Sequence, residues 1–152
     1  RSIQALRRYK PEIVLANAYH DRHPDHGRAC DLVNEATFLS GLVKIQTSVE
    51  GQTQPAWRPR LLLHYIQDRY IKPDVLIDIS PYWEQKMACV RAFRTQFYDP
   101  NVVGNDTYIS SPNFIHSLDA RSREFGKLIG TTYAEGFTSK KILGVDHLFQ
   151  LY

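Results

Sequence analysis

Cysteine is scarce in this chain. There are two in 152 residues, Cys30 and Cys89, with no C-x-x-C spacing. That excludes a zinc ribbon and a disulfide framework and leaves two buried thiols as the ordinary reading. No apolar run is long enough to span a bilayer, and the first residues do not read as a signal peptide. The expected location is therefore cytoplasmic, away from membranes. A Walker loop and a G-x-G-x-x-G are both absent, so a nucleotide is not implied. Strong net charge is lacking too: the balance is +3 and the basic residues are dispersed, which argues against nucleic acid and fits a small anionic substrate. No repeat or low-complexity run is evident. What remains, 43% hydrophobic and 23% charged residues, is the composition of a globular domain.

One stretch stands out. Three of the six histidines fall within His20-Asp21-Arg22-His23-Pro24-Asp25-His26. The stretch follows the apolar run Ile13 to Ala16, read as a strand buried on both faces, and leads into a helical pattern through Ala29, Leu32, Val33, Ala36 and Leu39. That puts it at the carboxyl end of a strand, where open α/β sheets hold ligands. Pro24 suits the first helical position, with His23 at the cap and Asp25 and His26 in the first turn. A neutral imidazole is a zinc ligand whose other nitrogen needs a carboxylate or carbonyl, and Asp25 could serve His23 in that way. The positive end of the helix dipole would favour a bound hydroxide or oxyanion. The competing reading is a solvated polar loop that caps a helix.

The rest of the chain predicts a Rossmann-like α/β fold, with a mostly parallel sheet flanked by helices. A helix over 3–9 is capped by Ser2 and stopped by Lys10-Pro11-Glu12. The helix after the histidines ends at Gly41 as its C′ residue. Residues 45–60 read as a surface loop. Strands are expected at 61–66 and 75–79, with His64 a packed core histidine rather than a ligand. Ser80-Pro81 starts a helix towards Phe97, residues 99–106 are turn-rich, and Ser111-Pro112 opens a helix that ends near Gly130. Tyr133 to Phe137 is expected to fold back over the sheet. Cys30 lies one helical turn from His26, so a His/Cys ligand pair is conceivable beside the simpler reading of a small buried thiol.

Tyr19 to Arg28, with H-P-D-H at its centre, resembles the second motif of the LmbE/PIG-L superfamily of zinc-dependent sugar de-N-acetylases. The flanks are similar to the branch that deacetylates N-acetylglucosaminyl-malate in bacillithiol synthesis. Further matches follow in order: Lys72-Pro73-Asp74 with Asp78-Ile79-Ser80, the Lys86 to Gln96 helix, Ala120-Arg121, and Gly130 to Phe137. The resemblance implies a single deacetylase domain over 1–152, incomplete at its N-terminus and corresponding to about two-thirds of the family fold. The family's first motif, A-H-P-D-D, is not in this sequence. That motif supplies two further zinc ligands and a general base, so strands from the preceding segment are expected to complete the sheet.

By resemblance, His26 is a Zn2+ ligand and His23 is the catalytic imidazolium held by Asp25. Arg22 is assigned to a substrate carboxylate, with a surface arginine as the alternative. Tyr108 is assigned to the substrate site, reaching a neighbouring subunit, with ordinary packing as the alternative. Homo-oligomers, including trimer-based hexamers, are a further implication. Three functions stay open: deacetylation of N-acetylglucosaminyl-malate, deacetylation of another N-acetylglucosamine conjugate, and a metal-free binding or assembly module.

Overall fold

The computed structural model describes residues 1–101 and 107–151. Most of the turn-rich stretch at 99–106 therefore lies outside the described residues. The chain divides into two compact units, one of Arg1–Val75 with Phe137–Tyr152, the other of Leu76–Gly136.

The first unit opens with α1 (Ser2–Tyr9) and β1 (Ile13–Ala16). Ser2 is the first helical residue rather than the cap. Arg1 takes the cap position without a side-chain bond, and Lys10 ends the helix in the left-handed region. The helix α2 (Pro24–Ser40) starts as expected, with Pro24 in its first turn and His23 at the cap. Gly41 ends it at φ −84°, so the glycine is not required by a left-handed turn. The Arg58 guanidinium lies over it and donates to Phe38 O at 2.9 Å, so a Cβ there would need only that flexible, exposed side chain to shift.

The loop at 45–60 contains a small hairpin, β2 (Ser48–Val49) and β3 (Gln52–Thr53), paired antiparallel. Its two turn residues, Glu50 and Gly51, both have positive φ, the geometry that matches the twist of hairpin strands. A Glu-Gly pair signals this more weakly than Asn-Gly, and the hairpin was not expected.

β4 (Leu61–Tyr65) pairs parallel with β1, Ile13 opposite Leu61 and Ala16 opposite His64. β5 (Val75–Asp78) and β6 (Ala134–Thr138) complete a sheet of order β1-β4-β6-β5. β6 runs antiparallel to β4. The expectation that Tyr133 to Phe137 folds over the sheet is corrected here. Ala134, Gly136, Phe137 and Thr138 are all buried, as befits an inner strand, and Asp74 N–H donates to Phe137 O at 2.8 Å. The architecture is a mixed α/β sheet that contains a parallel pair and is flanked by helices. β1 lies at the sheet edge, and Ile13 and Leu15, on one face of it, are 58% and 52% exposed.

In the second unit Ser80 begins a short 3-10 turn, and α3 (Trp83–Ala92) follows, ending five residues short of Phe97. The Ser80 hydroxyl caps nothing. It accepts Tyr133 N–H at 3.0 Å, and Ile79 N–H donates to Tyr133 O. The Trp83 and Tyr133 rings stack 4.2 Å apart. α4 (Pro112–Ile129) has the expected ends: the Ser111 hydroxyl accepts Phe114 N–H, and Gly130 closes the helix at φ 73°. Among the described residues no helix is long and apolar enough to cross a membrane.

Candidate metal and acid-base site

The site is built where the parallel strands β1 and β4 end. Each is followed by a loop, residues 17–23 and 66–72, and side chains stitch the two together. Asn17 Nδ2 and Ala18 N–H both donate to Gln67 Oε1, at 3.0 and 3.1 Å. His64, at the end of β4, meets Asn17 O through Nδ1 at 2.9 Å. A carbonyl only accepts, so Nδ1 carries the hydrogen.

Asp21 is the centre of the stitching. Its side chain is inaccessible to solvent. Oδ1 accepts the backbone N–H groups of Asp68 and Arg69, at 3.0 and 2.9 Å, and Oδ2 makes a short hydrogen bond with His26 Nδ1. Burial alone would push this carboxyl up. The hydrogen bonds from Arg69 N–H, the His26 ring and the backbone N–H groups of Arg22 and Asp68 outweigh it, so the group titrates below the usual carboxylate range.

The two histidines lie side by side at the start of α2, ring centroids 5.4 Å apart. At the cap, His23 Nδ1 accepts Asp25 N–H at 3.2 Å. The Asp25 carboxylate is 3.9 Å from that nitrogen, within ion-pair range but beyond a hydrogen bond. It is largely exposed and bonded to Arg28 at 3.1 Å. Arg22 donates through Nε to Asp68 at 3.1 Å, and Arg69 donates to His20 Nε2 at 3.0 Å.

Of the residues singled out from sequence, the structure therefore brings together Arg22, His23, Asp25 and His26. Tyr108 belongs to the second unit, where its ring meets Phe114 edge-on at 5.5 Å. Sequence reading missed Asp21, Gln67, Asp68 and Arg69 as participants. The only signal for Asp21 was its place among the histidines. Its partners lie 47 and 48 residues away, beyond any periodicity.

Cys30 does not join His26. It is fully buried, with Sγ 3.4 Å from His64 Nδ1 and accepting from Asn34 Nδ2 at 3.2 Å. Burial pushes the thiol up, which makes it an inert core group. His64 is the packed core histidine that was expected, at 1% exposure. Burial pushes it below its ordinary value of 6.5, and its Nε2 is buried without a partner.

A proton on that nitrogen would be stranded, so the folded state binds it less readily than the unfolded chain does. The stabilisation from neutral His64 is then fully present above pH 6.5 and declines as pH falls below it. Urea midpoints measured from about pH 7.5 down to 5 should drop, and more steeply than in His64→Gln. Equal slopes would contradict this.

Among the described residues, no group of three or more histidine, cysteine, aspartate or glutamate side chains is arranged to hold a metal ion. His26 still fits as one member of a ligand set. A carboxylate engages one ring nitrogen and leaves the other for a metal, the usual arrangement around ligating histidines.

No family model matches the chain. Solved structures do. The conserved protein TT1542 from Thermus thermophilus is 34% identical with a TM-score of 0.76, over 95% of this chain and 59% of its own. GalB, the 4-carboxy-2-hydroxymuconate hydratase from Pseudomonas putida, is 20% identical with a TM-score of 0.70, over 97% and 60%. N,N'-diacetylchitobiose deacetylase from Pyrococcus horikoshii is 21% identical with a TM-score of 0.66, over 99% and 54%. The chain has the LmbE-like fold and spans 54–60% of the length of these neighbours.

Proposed function

We propose that this chain forms part of a zinc-dependent de-N-acetylase acting on an acidic N-acetylglucosamine derivative, N-acetylglucosaminyl-malate being the first candidate. The observation that carries the reading is the His23–His26 pair in the first turn of α2, with Asp21 on His26. A fold neighbour with deacetylase activity supports it. Fold alone does not assign chemistry, and another neighbour is a hydratase.

His26 is the residue that would hold the zinc, the other protein ligands and the general base being supplied from outside this sequence. When bound, zinc polarises the acetamide carbonyl and lowers the pKa of its water to about 7. His23 accepts Asp25 N–H at Nδ1, which leaves Nε2 as the hydrogen-bearing nitrogen of the neutral ring. From the positive end of α2 that Nε2–H donates to the developing oxyanion, and the ring assists departure of the amine as the imidazolium, with Nδ1 released from Asp25 N–H and carrying a proton of its own. Asp25, 3.9 Å from that ring, stabilises it when it is charged. Asp68 fixes the Nε edge of Arg22, and Arg22 is assigned to a substrate carboxylate, for which a guanidinium offers paired donors. Tyr108 is assigned to the sugar site of a neighbouring subunit in a homo-oligomer, with a cytoplasmic location.

Acetate release by the intact protein from N-acetylglucosaminyl-malate and from neutral chitooligosaccharide and inositol glycoside conjugates tests this. The acidic conjugate is expected to win by about 10- to 100-fold in kcat/KM, the worth of a charge-assisted contact. Equal rates would move the substrate to a neutral conjugate. Hydration of an unsaturated acid with no acetate released would favour the hydratase reading, and no turnover at all a binding module.

A further inference from the structure

Of the two carboxylates paired with these histidines, Asp25 is exposed and bonded to Arg28, and Asp21 is closed off from solvent. We infer that Asp21 is a positioning residue that fixes His26 as the Nδ1–H tautomer, presents Nε2 as the lone pair for a metal, and locks that ring to the loop after β4. The inference rests on the reading of His26 as a metal ligand and assigns the orienting role for that ligand to a residue outside H-P-D-H.

Donors and acceptors around Asp21 fix the tautomer. Two successive backbone N–H groups, of Asp68 and Arg69, converge on Oδ1. They hold the carboxylate against rotation, so Oδ2 is committed to His26 Nδ1. An ionised carboxylate only accepts, and the hydrogen in that bond therefore belongs to the ring. A neutral imidazole has one N–H, so the lone pair lies on Nε2. The same two N–H groups come from the segment that carries Asp68, the partner of Arg22, and Arg69, the partner of His20. One carboxylate thus sets the tautomer of the ligand and ties its ring to the loop after β4.

Asp21→Asn separates the two jobs. The amide keeps an oxygen for the two backbone N–H groups and turns its Nδ2 hydrogens to His26. Nδ1 must then accept, and the ring proton moves to Nε2, where it blocks a metal. The experiment is nitrogen-15 NMR of the histidine rings in the metal-free intact protein, with His26 identified by the loss of its signals in His26→Gln, beside zinc affinity by chelator competition.

Wild type should show Nδ1–H and Asp21→Asn should show Nε2–H, with zinc affinity down about 10- to 100-fold. An Nε2–H ring in wild type, which needs no variant to detect, overturns the inference, as does an unchanged tautomer in Asp21→Asn. A switched tautomer with unchanged zinc affinity overturns the positioning role. A switched tautomer in a protein whose wild type binds no zinc sinks the deacetylase reading while the tautomer assignment stands.

Discussion

His23→Ala is expected to keep its zinc and lose about 10²- to 10³-fold in turnover, the worth of one oxyanion-stabilising donor. His26→Ala is expected to lose zinc, with activity restored only in part by excess metal. The two residues are three apart on one turn, yet their surroundings differ in kind. His26 has Nδ1 on a solvent-inaccessible carboxylate, the setting of a ligand. His23 has Nδ1 on a backbone N–H and a more open ring, the setting of a donor that meets substrate. Asp25→Asn should resemble a weaker His23 defect, because its backbone N–H is retained and only the charge at 3.9 Å is lost. Metal content beside turnover for the three variants decides it. Zinc lost from His23→Ala and kept by His26→Ala would reverse the assignment.

Arg7→Ala is expected to destabilise the first unit strongly. The side chain is 2% exposed and has no carboxylate partner among the described residues. Instead its guanidinium donates to Ser40 O at 3.0 Å, Ile45 O at 2.7 Å, Thr47 Oγ1 at 3.0 Å and Leu42 O at 2.8 Å. These acceptors gather where α2 ends, at the negative pole of its dipole, so a cation is favoured there without an acid beside it. The same contacts tie α1 to the chain leading into the hairpin.

Truncation removes a charged donor from four acceptors at once. Ser40 O and Leu42 O keep another donor, from Trp57 and Ile45 N–H, so the loss is less than four full bonds. About 2–4 kcal/mol is expected, a large part of the 5–15 kcal/mol typical of a domain. Arg7→Lys should recover only part of it, since one ammonium cannot reach acceptors spread around a planar fork. Urea unfolding of the intact protein should show a lower midpoint at unchanged slope. A loss below about 1 kcal/mol would contradict the account.

Elements marked by local chemistry were legible in the sequence. Ile13 to Ala16 is a continuous apolar run and is β1. Pro24 after a capping residue, and Ser111-Pro112 with Gly130, set the ends of α2 and α4, because caps and proline act within one turn. His64, within an apolar strand pattern, reads as a core histidine and is one. What escaped depends on distant partners. Ser80 looks like a helix cap, but its hydroxyl is taken by Tyr133. Gly41 looks like a left-handed terminus, but its φ is −84°. Ala134–Thr138, with a glutamate and a glycine inside it, has no continuous apolar run and becomes a strand by pairing with β4. In the site, H-P-D-H drew attention to Asp25 because it is near in sequence, whereas the carboxylate that reaches a ring is Asp21, held by the end of another strand.

Under the proposed function these histidines serve zinc-dependent amide hydrolysis. The direct measurement is acetate and free amine formed from N-acetylglucosaminyl-malate by the intact protein, as prepared, after chelation, and after zinc is returned. One acetate and one amine per turnover, lost with the chelator and restored by zinc, is the predicted result. Turnover indifferent to the chelator, or no amine formed in the zinc-restored protein, would contradict it.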